Sequence, residues 1–394
     1  MKKSVSIIGG GPAALLCAAF LDTEKFEVTI YEKQKSLARK FLVAGKGGFN
    51  LSHSEAIAQM IERYTPKSFL KEALLAFDNT DLRNWLAFIG IPTFVGSSKR
   101  VYPEKGIKPI EVLNAIIDVL KKKGVKFQFE YTWTGWENTS LVFNSQQKVN
   151  SEISIFALGG KSWKKTGSDG SWMETFQSQG ISVQSFQVSN CAYGVNWNHD
   201  FIQKHQGCPL KNIAISCMGK SQKGEVVLTQ FGIEGNAIYA LSPRLREQLN
   251  TTEKADIFID LKPAVSVEVL KTKFENSPLK KTSDILKKDL NMNAVQISLV
   301  KQYVSKEVFM NPSLLMEQIK NLKIEICSVA PIDDAISTVG GLDLNSVDEN
   351  FQLKNLPNNY CIGEMLDWDA PTGGYLLQAC FSMGVSVARS LNVK

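Results

Sequence analysis

Three consecutive glycines near the start of the chain stand where backbone amides could hold a phosphate. Ser4-Val5-Ser6-Ile7-Ile8 reads as a short buried strand, and Gly9-Gly10-Gly11-Pro12-Ala13-Ala14 follows at once. A helix-compatible apolar run then reaches Leu21, and a second strand at Val28-Thr29-Ile30-Tyr31 ends in Glu32, with Lys33 behind it. This is a strand–turn–helix–strand unit with a G-x-G-x-x-A fingerprint. Gly9 permits the tight turn, Gly11 lets the backbone approach a pyrophosphate, and Ala14 allows close contact between helix and strand. The free amides and partial positive charge at the helix start, where Gly10 and Ala13 flank Gly11-Pro12, attract phosphate. Glu32 lies 18 residues after Ala14, close to where a carboxylate accepts ribose hydroxyls and disfavours a 2′-phosphate. The unit by itself does not separate FAD from NAD.

Further stretches carry the same kind of chemistry. From Ala38 to Ser54 the chain holds Gly45, Gly47 and Gly48, beside Arg39, Lys40 and Lys46 and followed by Asn50 and Leu51. Such glycines let a backbone press against a flat or charged ligand, and the three cations could neutralise phosphates. Ile153-Ser154-Ile155-Phe156 reads as a buried strand ending in Ala157-Leu158-Gly159-Gly160, and a turn-rich segment with Gly167 and Asp169 leads into a helix. Near the C-terminus, Asn359-Tyr360-Cys361-Ile362 is a short strand capped by Gly363-Glu364. Asp367 and then Gly373-Gly374-Tyr375-Leu376-Leu377-Gln378 open a long apolar helix to about Leu391. In FAD enzymes of the glutathione-reductase-like fold, such a strand–Gly–acid segment carries the ribityl hydroxyls. The helix after it points its N-terminus at the flavin edge that gains negative charge on reduction. FAD is therefore the expected cofactor.

The sequence resembles the BaiN/RdsA-type (YhiN-like) family of NAD(P)/FAD-dependent oxidoreductases, and within it a subgroup with a Gly-Lys-Gly-Gly-x-Asn-Leu loop. The matching segments are Gly9–Ala14, Ala38–Ser54, Gly96–Pro103, Thr132–Trp136, Thr229–Gly235, Pro331–Gly341 and Gly363–Gln378. They run almost from one terminus to the other. Two departures stand out. The wider family has Gly-Gly-Gly-Arg-Cys-Asn where this chain has Gly45-Lys46-Gly47-Gly48-Phe49-Asn50. Its Thr-His-x-Gly-x-Ser/Thr-Gly is here Thr229-Gln230-Phe231-Gly232-Ile233-Glu234-Gly235. No mechanism that needs that cysteine or histidine carries over.

These motifs require elements to position them. The expectation is an α/β chain: a glutathione-reductase-like FAD-binding Rossmann domain with an inserted β-rich domain and a small helical subdomain. Residues 1–188 and 330–394 would form the discontinuous FAD domain. Residues 189–329 would form the insert, β-rich over 189–250 and 321–329 and helical over 251–320. Alternating runs such as Ile213–Cys217 and Glu225–Thr229 suggest strands, and Val265–Phe274 and Ala294–Tyr303 show helical periodicity. The resemblance implies that the insert covers the flavin and shapes a substrate pocket.

Composition agrees with a globular chain too long for one core: 394 residues, 44% hydrophobic and 21% charged. The formal charge of +6 suits anionic ligands without requiring nucleic acid, and Lys121-Lys122-Lys123 and Lys280-Lys281 read as solvated helix ends. The seven cysteines form no C-x-x-C pair, and the three histidines lack metal spacing, so no metal is expected and a reducing cytoplasm is. Met1-Lys2-Lys3 and the run to Cys17 imitate a signal peptide, but Gly9–Pro12 interrupt the apolar stretch and Leu16 is too bulky before the cysteine. No membrane partner is expected, and no oligomeric state is implied.

The function expected is an FAD-containing oxidoreductase moving hydride between the flavin and either NAD(P)H or a small organic molecule. No second G-x-G-x-x-G follows a strand, so NAD(P)H would be a transient donor in the open pocket. The alternatives are a flavoprotein associated with RNA modification, holding RNA on the lysines at 271–288, and a flavin-binding protein without turnover. Lys46, His53 and Tyr375 neighbour the flavin-facing segments, but each has a plainer role open to it, so no catalytic residue is assigned.

Overall fold

The computed structural model describes residues 1–43 and 48–394, which fall into two compact units, Met1–Val188 with Ile332–Lys394, and Ser189–Pro331. The first unit is built on a five-stranded parallel sheet in the order Asn359–Cys361, Ile153–Phe156, Lys3–Ile8, Phe26–Glu32, Lys126–Phe129. Val5, Ile7 and Ile8 are all buried, as expected of a parallel strand covered on both faces. The chain leaves the Lys3–Ile8 strand to one side for Phe26–Glu32 and to the other for Ile153–Phe156. That reversal is the switch point where open α/β sheets bind ligands at the carboxyl ends of their strands.

The helices that cover this sheet follow from their sequences. Pro12–Phe20 starts with proline, whose missing N–H costs nothing at a helix start, and is buried from Ala13 to Ala19. Pro109–Lys122 buries Val112, Leu113, Ile116 and Leu120, a single apolar stripe. Tyr375–Asn392 lies against Pro12–Phe20, and Gly384 makes the close crossing possible. A Cβ at Gly384 would stand 2.3 Å from the Ala13 carbonyl oxygen. A three-stranded antiparallel meander, Trp133–Glu137, Ser140–Phe143 and Gln147–Val149, sends Trp133 and Trp136 against Phe156 and Phe176.

The second unit holds a seven-stranded antiparallel sheet in the order Leu322–Ile326, Ala255–Asp260, Pro209–Cys217, Lys220–Leu228, Gly232–Glu234, Tyr193–Gly194, Ser328–Val329. Five helices between Val267 and Lys320 separate two of its paired strands. The fold class is therefore the expected one: a Rossmann unit, a β-rich insert and helices within the insert. Some details differ from the sequence reading, among them the short helices His199–His205 and Asn236–Tyr239 inside the stretch expected to be β-rich. Ala255–Asp260 is a strand inside the stretch expected to be helical, and its buried Ala255, Ile257 and Ile259 alternate with half-buried residues at period two. Conversely, Ser242–Thr252 is a helix inside the stretch expected to be β-rich.

Candidate functional site

The carboxyl ends of the parallel strands open onto a cleft with about 1400 Å³ of empty space, part of it open solvent. At its centre the first strand turns into its helix through Gly9, Gly10 and Gly11. Gly9 has φ of +99°, and a Cβ there would fall 2.4 Å from the Ala157 carbonyl oxygen, so glycine is required. At Gly10 a Cβ would strike Leu37 at 2.4 Å. Gly11 differs: its φ is −82°, and a Cβ would meet no protein atom within 4 Å. Packing does not demand glycine there. The free space lies before the amides of the Pro12–Phe20 helix, which has no side-chain cap.

Glu32 closes one side of this turn. Its Oε2 accepts the Gly10 amide at 2.8 Å and its Oε1 the Gln34 amide at 2.8 Å. Burial raises its pKa, against those same amides, which favour the carboxylate. Beside it Lys33 pairs with Asp169 at 2.9 Å. Burial works against the Asp169 carboxylate, but hydrogen bonds from Lys33 and Ser171 outweigh it and hold the pKa below the ordinary value.

Of the residues expected to contact a cofactor, Gly9, Gly10, Gly11, Pro12, Ala13, Glu32 and Lys33 line the cleft. Arg39, Lys40, Ala157, Leu158, Gly159, Gly167, Gly363 and Glu364 do so as well. Lys40 and Glu364 also bind each other at 2.9 Å, and Lys40 donates to Ser162 Oγ at 2.8 Å. Gly45, Lys46 and Gly47 lie outside the described residues. Asn50, Leu51, Asp169, Asp367, Gly373, Gly374, Tyr375 and Gln378 do not line the cleft. Leu51 is fully buried, and Asp367 accepts the Gly340 amide at 2.8 Å.

The helix register explains Tyr375 and Gln378. Leu376, Leu377 and Cys380 face the cleft, so positions 375, 378 and 382 fall on the other face. There Ser52 Oγ donates to Gln378 Oε1 at 2.6 Å, and Gln378 Nε2 donates to the Phe77 carbonyl at 3.1 Å. His53 lies on this side too. Its Nδ1 accepts the Glu55 amide at 3.2 Å, and burial lowers its pKa.

Sequence reasoning missed several cleft residues. Tyr131, Thr132 and Trp133 reach it from the start of the meander, and Ser168 and Trp172 from the segment after Gly159. Trp172 Nε1 donates to the Gly159 carbonyl at 3.1 Å, whereas Ser168 Oγ, although buried, has no hydrogen-bond partner among the described residues. The Thr132–Trp136 segment was visible only as a family match, since tryptophans in a hairpin advertise a core. Cys380 stands in the wall, where burial pushes its thiol up to about 12 and disfavours the thiolate. Among the described residues no cluster of three or more His, Cys, Asp or Glu could hold a metal ion. No helix among the described residues is long and apolar enough to cross a membrane.

A helix start without a side-chain cap and with open space before it, a carboxylate one strand away and glycine-lined strand ends together form a dinucleotide cradle. Known proteins share the architecture. The chain is 25% identical to a ribosomal RNA dihydrouridine synthase of Haemophilus influenzae over 413 residues, covering 98% of each. It is 23% identical to a 3-dehydro-bile acid delta(4,6)-reductase of Clostridium scindens over 414 residues, again covering 98% of each. The solved 3-ketosteroid delta1-dehydrogenase of Sterolibacterium denitrificans matches the whole of both chains with a TM-score of 0.50 and 13% identity, a likeness of fold. A sequence profile described as the HI0933-like protein Rossmann domain matches residues 3–390, which agrees with the resemblance drawn from the motifs. By that match over nearly its full length, the chain belongs to the HI0933-like Rossmann family.

Proposed function

We propose that the protein is an FAD-dependent oxidoreductase that binds FAD in the cleft at the carboxyl ends of its parallel strands. The observation that carries this reading is Gly11, a glycine that protein packing does not require, standing at a helix start without a side-chain cap and next to Gly10, whose amide donates to Glu32. The Gly9–Gly11 turn and the start of the Pro12–Phe20 helix would hold the pyrophosphate, and Glu32 a ribose. Arg39, exposed at the rim, would offset phosphate charge. Lys40, already paired with Glu364, adds little net charge of its own. When bound, the flavin would supply two-electron hydride chemistry that no side chain offers.

The substrate reading is reduction of a carbon–carbon double bond conjugated to a carbonyl in a small organic molecule, with NADH or NADPH as donor. The name of the Clostridium scindens relative supports it. The protein residues bind, orient and exclude water, and Leu376 and Leu377 give the wall beside Glu364 an apolar surface. With FAD-loaded protein and no oxygen, NADH or NADPH should bleach the flavin absorption, and a conjugated enone should restore it. Flavin that neither nucleotide reduces would remove the donor from this reading. Reduced flavin that no enone reoxidises would remove the substrate.

A second reading, an RNA base as the reduced group, is favoured by the name of the Haemophilus influenzae relative. Retention of RNA that falls steeply with added salt would favour it over the first.

A further inference from the structure

The Tyr375–Asn392 helix starts without a side-chain cap, at Gly374 with φ of +100°. Its first turn must therefore be aimed by other contacts, and three converge on one residue. The Tyr375 hydroxyl donates to Glu55 Oε1 at 2.8 Å. The Tyr375 carbonyl accepts the Tyr64 hydroxyl at 2.9 Å. The Tyr375 ring stacks on His53, with centroids 5.1 Å apart and planes 21° from parallel. Behind the hydroxyl, Arg63 grips Glu55 with two parallel hydrogen bonds, Nε to Oε1 at 3.1 Å and Nη2 to Oε2 at 2.9 Å. The Glu55 side chain is only 4% exposed, so without these donors its charge would stand buried and unpaired. Next to Tyr375 the backbone is in direct contact: a Cβ at Gly374 would lie 2.4 Å from the Ser52 carbonyl carbon.

We propose that Tyr375, with Glu55 and Arg63 behind it, is a positioning residue for the cofactor rather than a contact to it. This inference rests on the FAD reading above. The side chains that meet the cleft from this helix are Leu376, Leu377 and Cys380. They follow Tyr375 within a turn and a half, so a rotation of that first turn moves them directly. A tyrosine that only filled space would need its ring but no hydroxyl partner. Here the hydroxyl ties the helix start to the segment Ser52–Glu55.

The test uses the full-length protein loaded with FAD, in Tyr375→Phe, Glu55→Gln and the double variant. The readouts are the FAD dissociation constant, the midpoint potential of the bound flavin and the melting temperature. Tyr375→Phe keeps the ring and its stacking. It should weaken FAD binding about 2–10-fold, the worth of one hydrogen bond, and shift the potential to more negative values. Glu55→Gln should act in the same direction, and the double variant should lose less than the sum, because the two groups share one contact. A folded Tyr375→Phe protein with unchanged affinity and potential would overturn the inference. Should Glu55→Gln fail to fold, Tyr375→Phe alone decides. Wild-type protein that binds no FAD would sink the cofactor reading itself, whereas wild-type binding with unmoved variants sinks only the positioning role.

Discussion

Glu32 is buried at the cleft wall and accepts the Gly10 and Gln34 amides, so its carboxylate fixes the Gly9–Gly11 turn, and on the FAD reading it would also meet a ribose. Glu32→Gln keeps the shape and loses the charge. Its FAD affinity should fall about 10–100-fold, the range of hydrogen bonds to charged groups, when followed by titration of flavin fluorescence. Unchanged affinity would move the ribose elsewhere. A pH effect belongs to Glu55. Burial works against its carboxylate, but the hydrogen bonds from Arg63 and Tyr375 outweigh it and hold the pKa below the ordinary value of about 4.3. A depressed carboxylate adds stability above the unfolded-state pKa and loses it as pH falls through the folded value. Wild-type protein should therefore lose more stability below about pH 4.3 than Glu55→Gln does, as measured by urea unfolding at stepped pH. Equal slopes would mean the pair contributes nothing. At this scale the sequence was most informative where chemistry fixes spacing, as at Gly9 to Glu32. It was least informative at Tyr375 and Gln378, whose facing depends on a helix register that spacing alone did not set.

Four of the five parallel strands and the first helix were legible because glycine, proline and apolar runs mark their ends, whereas the edge strand Lys126–Phe129 was not read. The observed Pro12–Phe20 and Tyr375–Asn392 helices fall where the pattern placed them. The crossing of these two helices was not legible. Gly384 sits mid-helix, where sequence reads only a weak helix former. The structure supplies its reason, a carbonyl oxygen of Ala13 where a Cβ would have to go. Gly384→Val should destabilise the protein by about 1–3 kcal/mol through overpacking. That would lower the melting temperature by several degrees and loosen FAD binding secondarily, since Ala13 lines the cleft. An unchanged melting temperature would show that the crossing relaxes freely. The strand Ala255–Asp260 was missed for a different reason: lysine-rich helical periodicity on its C-terminal side masked a six-residue alternation.

Across the whole molecule the discontinuity of the chain does the assembling. A strand from residues 359–361 completes a sheet begun at residue 3, and the helix that follows packs on the first helix. The cleft thus draws on segments more than 300 residues apart, so ligand binding and folding of this unit should be coupled. FAD at saturating concentration should raise the melting temperature, and an absent shift would place the ligand elsewhere. The central claim is that the cleft before Gly11 holds FAD, and Gly11→Val tests it most directly. A Cβ there meets no protein atom, and the backbone is in an ordinary conformation, so the variant should fold with near wild-type stability. FAD titration of both proteins should give one FAD per wild-type chain and none in the variant. A wild-type protein that takes up no FAD, or a Gly11→Val protein that takes it up equally well, would contradict the account.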